Sequence, residues 1–140
     1  MNKLRILRAH CCFQTANDLL AGDALEDAML MFDKAIELNP KKSEYFKIMA
    51  MTAIEIEAFE EAIQLIKKYK RFRRSHKSLV YLLRGDAYYG MGQYKKAYRS
   101  YCRISNAHSH MNEVRVRKAR CFMAINKYRK AILQLDKPSQ

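Results

Sequence analysis

The sequence predicts an all-α fold made of consecutive antiparallel helix hairpins. The first observation is an alanine that recurs every 34 or 35 residues, at Ala28, Ala62, Ala97 and Ala131. The second is that bulky and small residues keep fixed distances from these alanines. The third is that the 140 residues include only four Gly and two Pro, which is sparse for an all-β protein with many turns.

Three sets of residues keep one register with these alanines. A bulky residue stands three positions before each alanine, at Leu25, Phe59, Tyr94 and Tyr128. Another stands four positions after it, at Phe32, Ile66, Tyr101 and Leu135. A small residue stands twelve positions before it, at Ala16, Ala50, Gly85 and Ala119. Because residues three and four apart share a helical face, and small residues facing large ones let helices interlock, each repeat is predicted to be a helix, a tight turn and a second helix.

Turn and cap residues mark the ends of the predicted helices. The turns inside the hairpins are marked by Gly22, Gly90, Gly92 and Asn126. Asp23 is predicted to be a helix N-cap, with Glu26 three residues later. Pro40 is predicted to stop a helix, and Ser43 to cap the next one.

A 34-residue helical hairpin with this pattern resembles the tetratricopeptide repeat. The stretch YLLRGDAYYGMGQYKKAYRSY matches the family pattern at Tyr81, Gly85, Tyr88, Ala97 and Tyr101. The stretch DALEDAMLMFDKAIELNP matches its second half through Ala28, Phe32 and Pro40. The resemblance implies a right-handed superhelical solenoid in a single array over residues 1–140. Its repeats would cover about 9–42, 43–77, 78–111 and 112–140, the last one truncated.

Two repeats depart from the family pattern. The second has Arg74 where the family has a closing proline. The fourth has Arg115 and Lys118 where the family prefers apolar residues. These departures concern the packing of the two repeats and leave the resemblance itself unchanged.

The resemblance implies that the first helix of each repeat lines a concave groove for a helix or an extended peptide. Carried over residue by residue, it assigns to this groove Phe13, Asn17, Leu20, Lys47, Met51, Ile54, Leu79, Leu82, Asp86, Tyr89, Val116, Arg120 and Met123. Most are apolar, and an exposed apolar groove marks a binding site. The alternative is that some of them pack on neighbouring helices or lie under an end helix of the same chain.

Chaperone adaptors of this family grip a terminal carboxylate with Lys, Asn and Arg. Here only Asn17 stands in such a place, and the positions of the other clamp residues are Phe13, Ile48, Leu79 and Leu83. Because a terminal carboxylate would lack its donors, the sequence argues against an adaptor of that kind.

Charge is distributed unevenly along the chain. Residues 1–61 hold seven basic and eleven acidic groups, a net of −4, and residues 62–140 hold twenty and three, a net of +17, which together give the net +13 of the chain. Such asymmetry can steer an acidic protein, RNA, an anionic membrane or a second copy bound head to tail.

The densest basic stretch is KKYKRFRRSHK, with Lys67, Lys68, Lys70, Arg71, Arg73, Arg74 and Lys77. Basic residues interleaved with aromatics are typical of some nucleic-acid surfaces. They are equally typical of the solvated end of a helix, where cations offset the helix dipole. Three interpretations stay open: a solvated surface, a surface for an acidic protein, and a surface for RNA. No base-reading module accompanies the charge.

No cluster of residues indicates an enzyme, a cofactor or a metal. The three residues His10–Cys12 are adjacent, so on a helix they point in different directions. His108 and His110 lie in a predicted loop, and the spacing of the four cysteines fits no zinc module. The stretch GDAYYGMG lacks the Gly-Lys-Ser/Thr of a phosphate loop.

The predicted function is a non-catalytic protein-interaction module, an adaptor or scaffold in a multiprotein complex. The alternative is an RNA-binding or acidic-partner-binding protein that uses the basic half. The chain has no apolar run near the ~20 residues that span a bilayer. The stretch MNKLRILRAHCC lacks the apolar core of a secretory signal. A cytoplasmic or nuclear location is therefore expected.

Overall fold

The computed structural model describes residues 2–74, 76–105 and 111–136. In these ranges the regular structure is entirely α-helical. The helices are α1 (Lys3–Ala21), α2 (Leu25–Leu38), α3 (Ser43–Glu55), α4 (Phe59–Phe72), α5 (Lys77–Gly90), α6 (Tyr94–Cys102), α7 (Met111–Ala124) and α8 (Tyr128–Leu135). They group into an N-terminal unit, residues 1–74, and a C-terminal unit, residues 75–140, which we describe separately.

Consecutive helices pair as hairpins in both units. In the N-terminal unit α1 packs on α2 and α3 on α4, and α2 also contacts α3. In the C-terminal unit α5 packs on α6 and α7 on α8, and α6 contacts α7. The predicted all-α fold of helix hairpins is therefore confirmed.

The small residues of the repeat lie where paired helices approach each other. Ala16, Ala28, Ala50 and Ala62 are completely buried in the N-terminal unit. In the third repeat Gly85 takes the place of this alanine, because the ring of Tyr101 fills the space of a methyl group. A Cβ added at Gly85 would lie 2.3 Å from Cε1 of Tyr101.

The turn inside each hairpin has the same backbone form in all four described hairpins. One residue of each turn has a left-handed φ: Asp23 at 62°, Glu57 at 63°, Gly92 at 76° and Asn126 at 62°. In the first hairpin the Asp23 N–H donates to the Leu20 carbonyl at 3.0 Å, and the Ala24 N–H donates to the Leu19 carbonyl at 2.9 Å. The other three hairpins repeat both hydrogen bonds. This is a Schellman motif, which satisfies carbonyls at the end of the first helix.

Two predicted caps are wrong. The N-cap of α2 is Ala24, which has no side-chain capping hydrogen bond, and Asp23 is the left-handed residue before it. Ser43 is the first residue of α3, and Lys42 occupies the cap position. For Asp23 the sequence signal was ambiguous, because aspartate favours N-caps and also tolerates the left-handed conformation.

Aromatic rings hold the N-terminal unit together. The ring centroid of Phe13 lies 5.8 Å from that of Phe32 and 4.8 Å from that of Tyr45. Phe46 of α3 stacks on Phe72 of α4, with centroids 5.7 Å apart. These contacts join the first hairpin to α3, and α3 to α4.

Candidate functional site

The predicted groove face of the C-terminal unit contains a small polar cavity, which we call the cleft. It has a volume of about 140 Å³ and is lined by Asp86, Tyr89, Tyr101, Arg117 and Arg120. Asp86 and Tyr89 come from α5, and Arg120 comes from α7. The structure thus brings together three residues that the resemblance assigned to the groove.

Asp86 organises the floor of the cleft. Its Oδ1 accepts a hydrogen bond of 2.5 Å from the Tyr101 hydroxyl and one of 2.9 Å from Nε of Arg117. Arg117 also donates from Nη1 to Oε1 of Glu113, at 2.6 Å. Because Asp86 and Glu113 are both paired with Arg117 in this network, the network gives the cleft a fixed shape.

The electrostatics keep these groups in their donor and acceptor forms. Burial raises the pKa of the Tyr101 hydroxyl, and the charge of Asp86 raises it further, so the phenol stays protonated. Burial alone would lower the pKa of Arg117, but its hydrogen bond to Glu113 and the charge of Asp86 outweigh this and raise the pKa. The guanidinium therefore stays charged.

The rim of the cleft offers groups for a ligand. Arg120 is exposed, and no carboxylate of the described residues lies within salt-bridge distance of it. Beside it, Tyr89 is half-buried, with its ring edge-on to Tyr94 at 5.1 Å. A guanidinium next to an aromatic ring can hold a carboxylate together with an adjacent apolar side chain.

Apolar surface continues from Arg120 along α7. Val116 is 40% exposed and Met123 is 51% exposed, and with Arg120 they follow the spacing of one helical face. Leu82 of α5 packs instead against the core of the C-terminal unit, and Leu79 is half-buried. The exposed part of the predicted groove in this unit is therefore on α7.

The groove residues of the N-terminal unit have a different outcome. Phe13 is only 7% exposed and lies between Phe32 and Tyr45, so it is a core residue and its assignment to the groove surface is corrected. The half-buried residues are Asn17, Leu20, Lys47 and Ile54. Met51 is exposed. Their role in binding stays a prediction.

The basic residues of the stretch are exposed, whereas its two aromatic rings pack within the N-terminal unit. Lys67, Lys68, Lys70, Arg71, Arg73 and Arg74 are all exposed at the end of α4 and just after it, and Lys77 is exposed at the start of α5. Tyr69 is 2% exposed, and Phe72 stacks on Phe46. Packing within the N-terminal unit therefore explains why Tyr69 and Phe72 stand among these basic residues.

Tyr101, Arg117 and Glu113 are parts of the site that the repeat pattern does not indicate. The pattern accounts for Tyr101 only as a packing residue. Two signals could have found the others. Glu113 and Arg117 are four residues apart, the spacing of a helical ion pair, and Asp86 and Glu113 are two of only three acidic residues in the basic half.

The part of the chain that the structure describes was compared with the requirements of a metal site and of a membrane-spanning helix. No three His, Cys, Asp or Glu side chains come together there as potential metal ligands. No described helix has both the length and the apolar character needed to cross a bilayer. The residues 108–110, considered as a weak metal cluster, lie outside the described ranges.

Comparison with known proteins identifies the fold. No protein-family model matches the sequence, and no curated protein sequence matches it. Among solved structures, MamA from Desulfovibrio magneticus RS-1, from residue 41 to its end, superposes with a TM-score of 0.81 at 15% identity, over 90% of this chain and 71% of that one. MamA MSR-1 gives 0.77 at 12% identity, over 91% and 72% of the two chains.

The fold is tetratricopeptide-like. A further MamA crystal structure agrees, with a TM-score of 0.78 at 14% identity, over 91% of this chain and 74% of that one. At such low identity the likeness is one of fold alone. The architecture of helix hairpins read from the sequence is thus found in known structures, and function has to be argued from the site.

Proposed function

We propose that this chain is a tetratricopeptide-family protein that acts as a non-catalytic interaction module. It would serve as an adaptor or scaffold in a multiprotein complex of the cytoplasm or nucleus. The observation that carries the proposal is the cleft between α5 and α7, which places a charged rim residue, Arg120, beside exposed apolar side chains of the same helix.

The ligand that suits this surface is a helix or extended peptide with an acidic residue next to an apolar one. Arg120 would pair with the carboxylate, and Val116 and Met123 would cover the apolar side chain. Methionine adapts its shape to irregular partners. Since the network beneath the rim is already formed, little ordering free energy would be lost on binding.

The chemistry of the cleft favours binding over catalysis. Its one carboxylate, Asp86, already accepts two hydrogen bonds, and its buried hydroxyl, Tyr101, has a raised pKa. Neither arrangement provides a free base or an activated nucleophile.

The test is affinity capture from a nuclease-treated lysate with the wild type and a Val116→Glu/Arg120→Glu variant, followed by mass spectrometry. Both residues are exposed, so the change spares the core, whereas Leu82 packs against it. Arg129→Glu on α8 is the matched control, since it reverses an exposed charge that does not line the cleft. Circular dichroism checks that each variant folds.

We expect a small set of proteins to bind the wild type and the Arg129 control and to be lost from the cleft variant. Direct binding of a purified candidate, measured by calorimetry, should show the same order. Identical sets from all three proteins would reject the cleft. RNA binding through the basic half, the alternative, would show instead as capture that nuclease abolishes and that falls steeply with salt.

A further inference from the structure

The C-terminal unit has a second concave surface, which lies between α6 and the end of α7 and which we call the trough. It consists of two cavities of about 280 Å³ and about 340 Å³, which share Tyr94, Lys95 and Ile125 and therefore adjoin. Unlike the cleft, it is lined mainly by apolar side chains and is ringed by cations.

Aromatic and aliphatic side chains form the floor of the trough. These are Tyr94, Tyr98, Phe122 and Ile125. The rings of Tyr98 and Phe122 are in contact, with centroids 4.6 Å apart and an interplanar angle of 52°. The floor is therefore built from packed rings on two helices.

Four cations stand around this floor: Lys95, Lys96, Arg99 and Lys127. All four are exposed, and no carboxylate of the described residues lies within salt-bridge distance of them. Lys96 lies over the ring of Tyr88, 5.6 Å from its centroid. Asp86 and Glu113, two acidic residues of the same unit, are both engaged by Arg117.

The N-terminal unit has a surface of opposite character on α2, which we call the ridge. Its exposed residues Glu26, Leu30, Asp33 and Glu37 follow a 4-3-4 spacing and so share one face of the helix. Leu30 is 61% exposed, a single apolar side chain among carboxylates. Asp27 adds a fifth exposed side chain beside them, and Lys34 is the one basic residue of this helix.

Asp33 and Glu37, two acids of the ridge, lie close enough for the charge of one to act on the other. Burial raises the pKa of Asp33, the charge of Glu37 raises it further, and Lys68 of α4 acts in the opposite direction. The ridge is therefore a concentrated negative field around one apolar side chain, and the trough is a positive field around an apolar floor.

We propose that the ridge of one copy of this chain docks into the trough of a second copy. Leu30 would cover the aromatic floor of the trough, and the carboxylates of the ridge would face the four cations around the trough. This is a helix laid in a groove, with charge complementarity that sets its orientation and speeds its association. The proposal does not depend on the cleft.

The contact would be heterologous, since it joins two different surfaces. Each copy has one ridge and one trough, so association would continue beyond a dimer unless the rotation between copies closes a ring. Salt should weaken it, because the charges on both surfaces are exposed and salt screens them.

The test is the mass of the purified protein, measured by sedimentation velocity over a wide range of concentration at low and high salt. A ridge variant, Glu26→Lys/Asp33→Lys, and a trough variant, Lys95→Glu/Arg99→Glu, reverse the two fields. Lys70→Glu/Arg71→Glu makes the same change of charge outside the trough. All six positions are exposed, and circular dichroism verifies folding.

We expect the mass of the wild type and of the Lys70/Arg71 control to rise with concentration at low salt, and each ridge or trough variant to stay a single chain. A mixture of the ridge variant and the trough variant should associate again, because each reversed surface meets a complementary one. A Leu30→Ala variant should associate less than the wild type.

A wild type that stays a single chain at every concentration would overturn the proposal, even if the trough then bound an acidic protein of another kind. So would association that both reversals leave intact. Failure of the mixture to associate, with both variants folded, would show that the ridge and the trough are not partners.

Discussion

Gly85 and Tyr101 share one space: the Tyr101 ring lies where a side chain at Gly85 would be, 2.3 Å from Cε1 and 2.7 Å from Cδ1 and Cζ. Because the ring enters α5 at this glycine, its hydroxyl reaches Asp86, the next residue, under the cleft. The pair therefore connects the packing of the third hairpin to the shape of the candidate site.

Gly85→Ala should destabilise the chain strongly. The added methyl would overlap a buried ring, and overpacking of this kind typically costs about 1–3 kcal/mol. Urea unfolding followed by circular dichroism measures the loss. Gly22→Ala is the control, because its Cβ would meet only backbone oxygens at 3.7 Å and its φ of −88° suits any residue.

A double variant gives a second test of the packing of Gly85 against Tyr101. In the second repeat the corresponding pair is Ala50 and Ile66, so Gly85→Ala/Tyr101→Ile should lose less stability than the sum of its single changes. Equal stability of Gly85→Ala and the wild type would contradict the packing described here.

Substitutions at two equivalent left-handed turn positions should change the stability of the chain in opposite directions. Gly92→Ala should cost about 1 kcal/mol from backbone conformation alone, since no atom lies within 4 Å of the added Cβ. Glu57→Gly should stabilise the chain by about 0.5 kcal/mol, because Glu57 holds φ at 63°. Thermal unfolding compares the two variants, and a change of the same sign in both would be inconsistent with a shared Schellman turn.

Truncation of two side chains at equivalent repeat positions should lower the free energy of unfolding by unequal amounts. Ile66 is completely buried, whereas Leu135, at the same position of the fourth repeat, is 52% exposed. Ile66→Ala should therefore cost about 2–5 kcal/mol, and Leu135→Ala less than about 1 kcal/mol. Denaturant midpoints measure both, and a large cost at Leu135 would mean that another surface covers it in solution.

The buried thiol of Cys121 should make the stability of the chain fall at alkaline pH. Burial raises the pKa of its thiol from 9.0 to about 11, with the charge of Asp86 as the second cause. Between these values the folded state binds more protons than the unfolded state. The stabilisation is thus complete below the unfolded pKa and is lost as the pH rises through the folded pKa.

Urea midpoints at a series of pH values test this, and Cys121→Ala should flatten the fall. A thiol reagent near pH 8 should react first with the exposed Cys11 and Cys102 and reach Cys121 only as the chain opens. A fast reaction at all four cysteines would exclude the burial described for Cys121.

The hairpins could be predicted from the sequence. The recurring alanines and their bulky companions predicted eight helices in four pairs, because the period of a helix and the need to bury one face leave little choice of structure. The sequence also predicted Asp86, Tyr89 and Arg120 as residues of one surface, through the resemblance to a known repeat.

The contacts that those residues make depended on tertiary packing. Whether Phe13 is groove or core depended on Phe32 and Tyr45, which are distant in sequence, and whether Tyr69 is a stacking platform depended on its burial. The role of Asp86 was likewise set by Tyr101 and Arg117, 15 and 31 residues away. A local pattern fixes which face of a helix is apolar, but only packing fixes which neighbours meet that face.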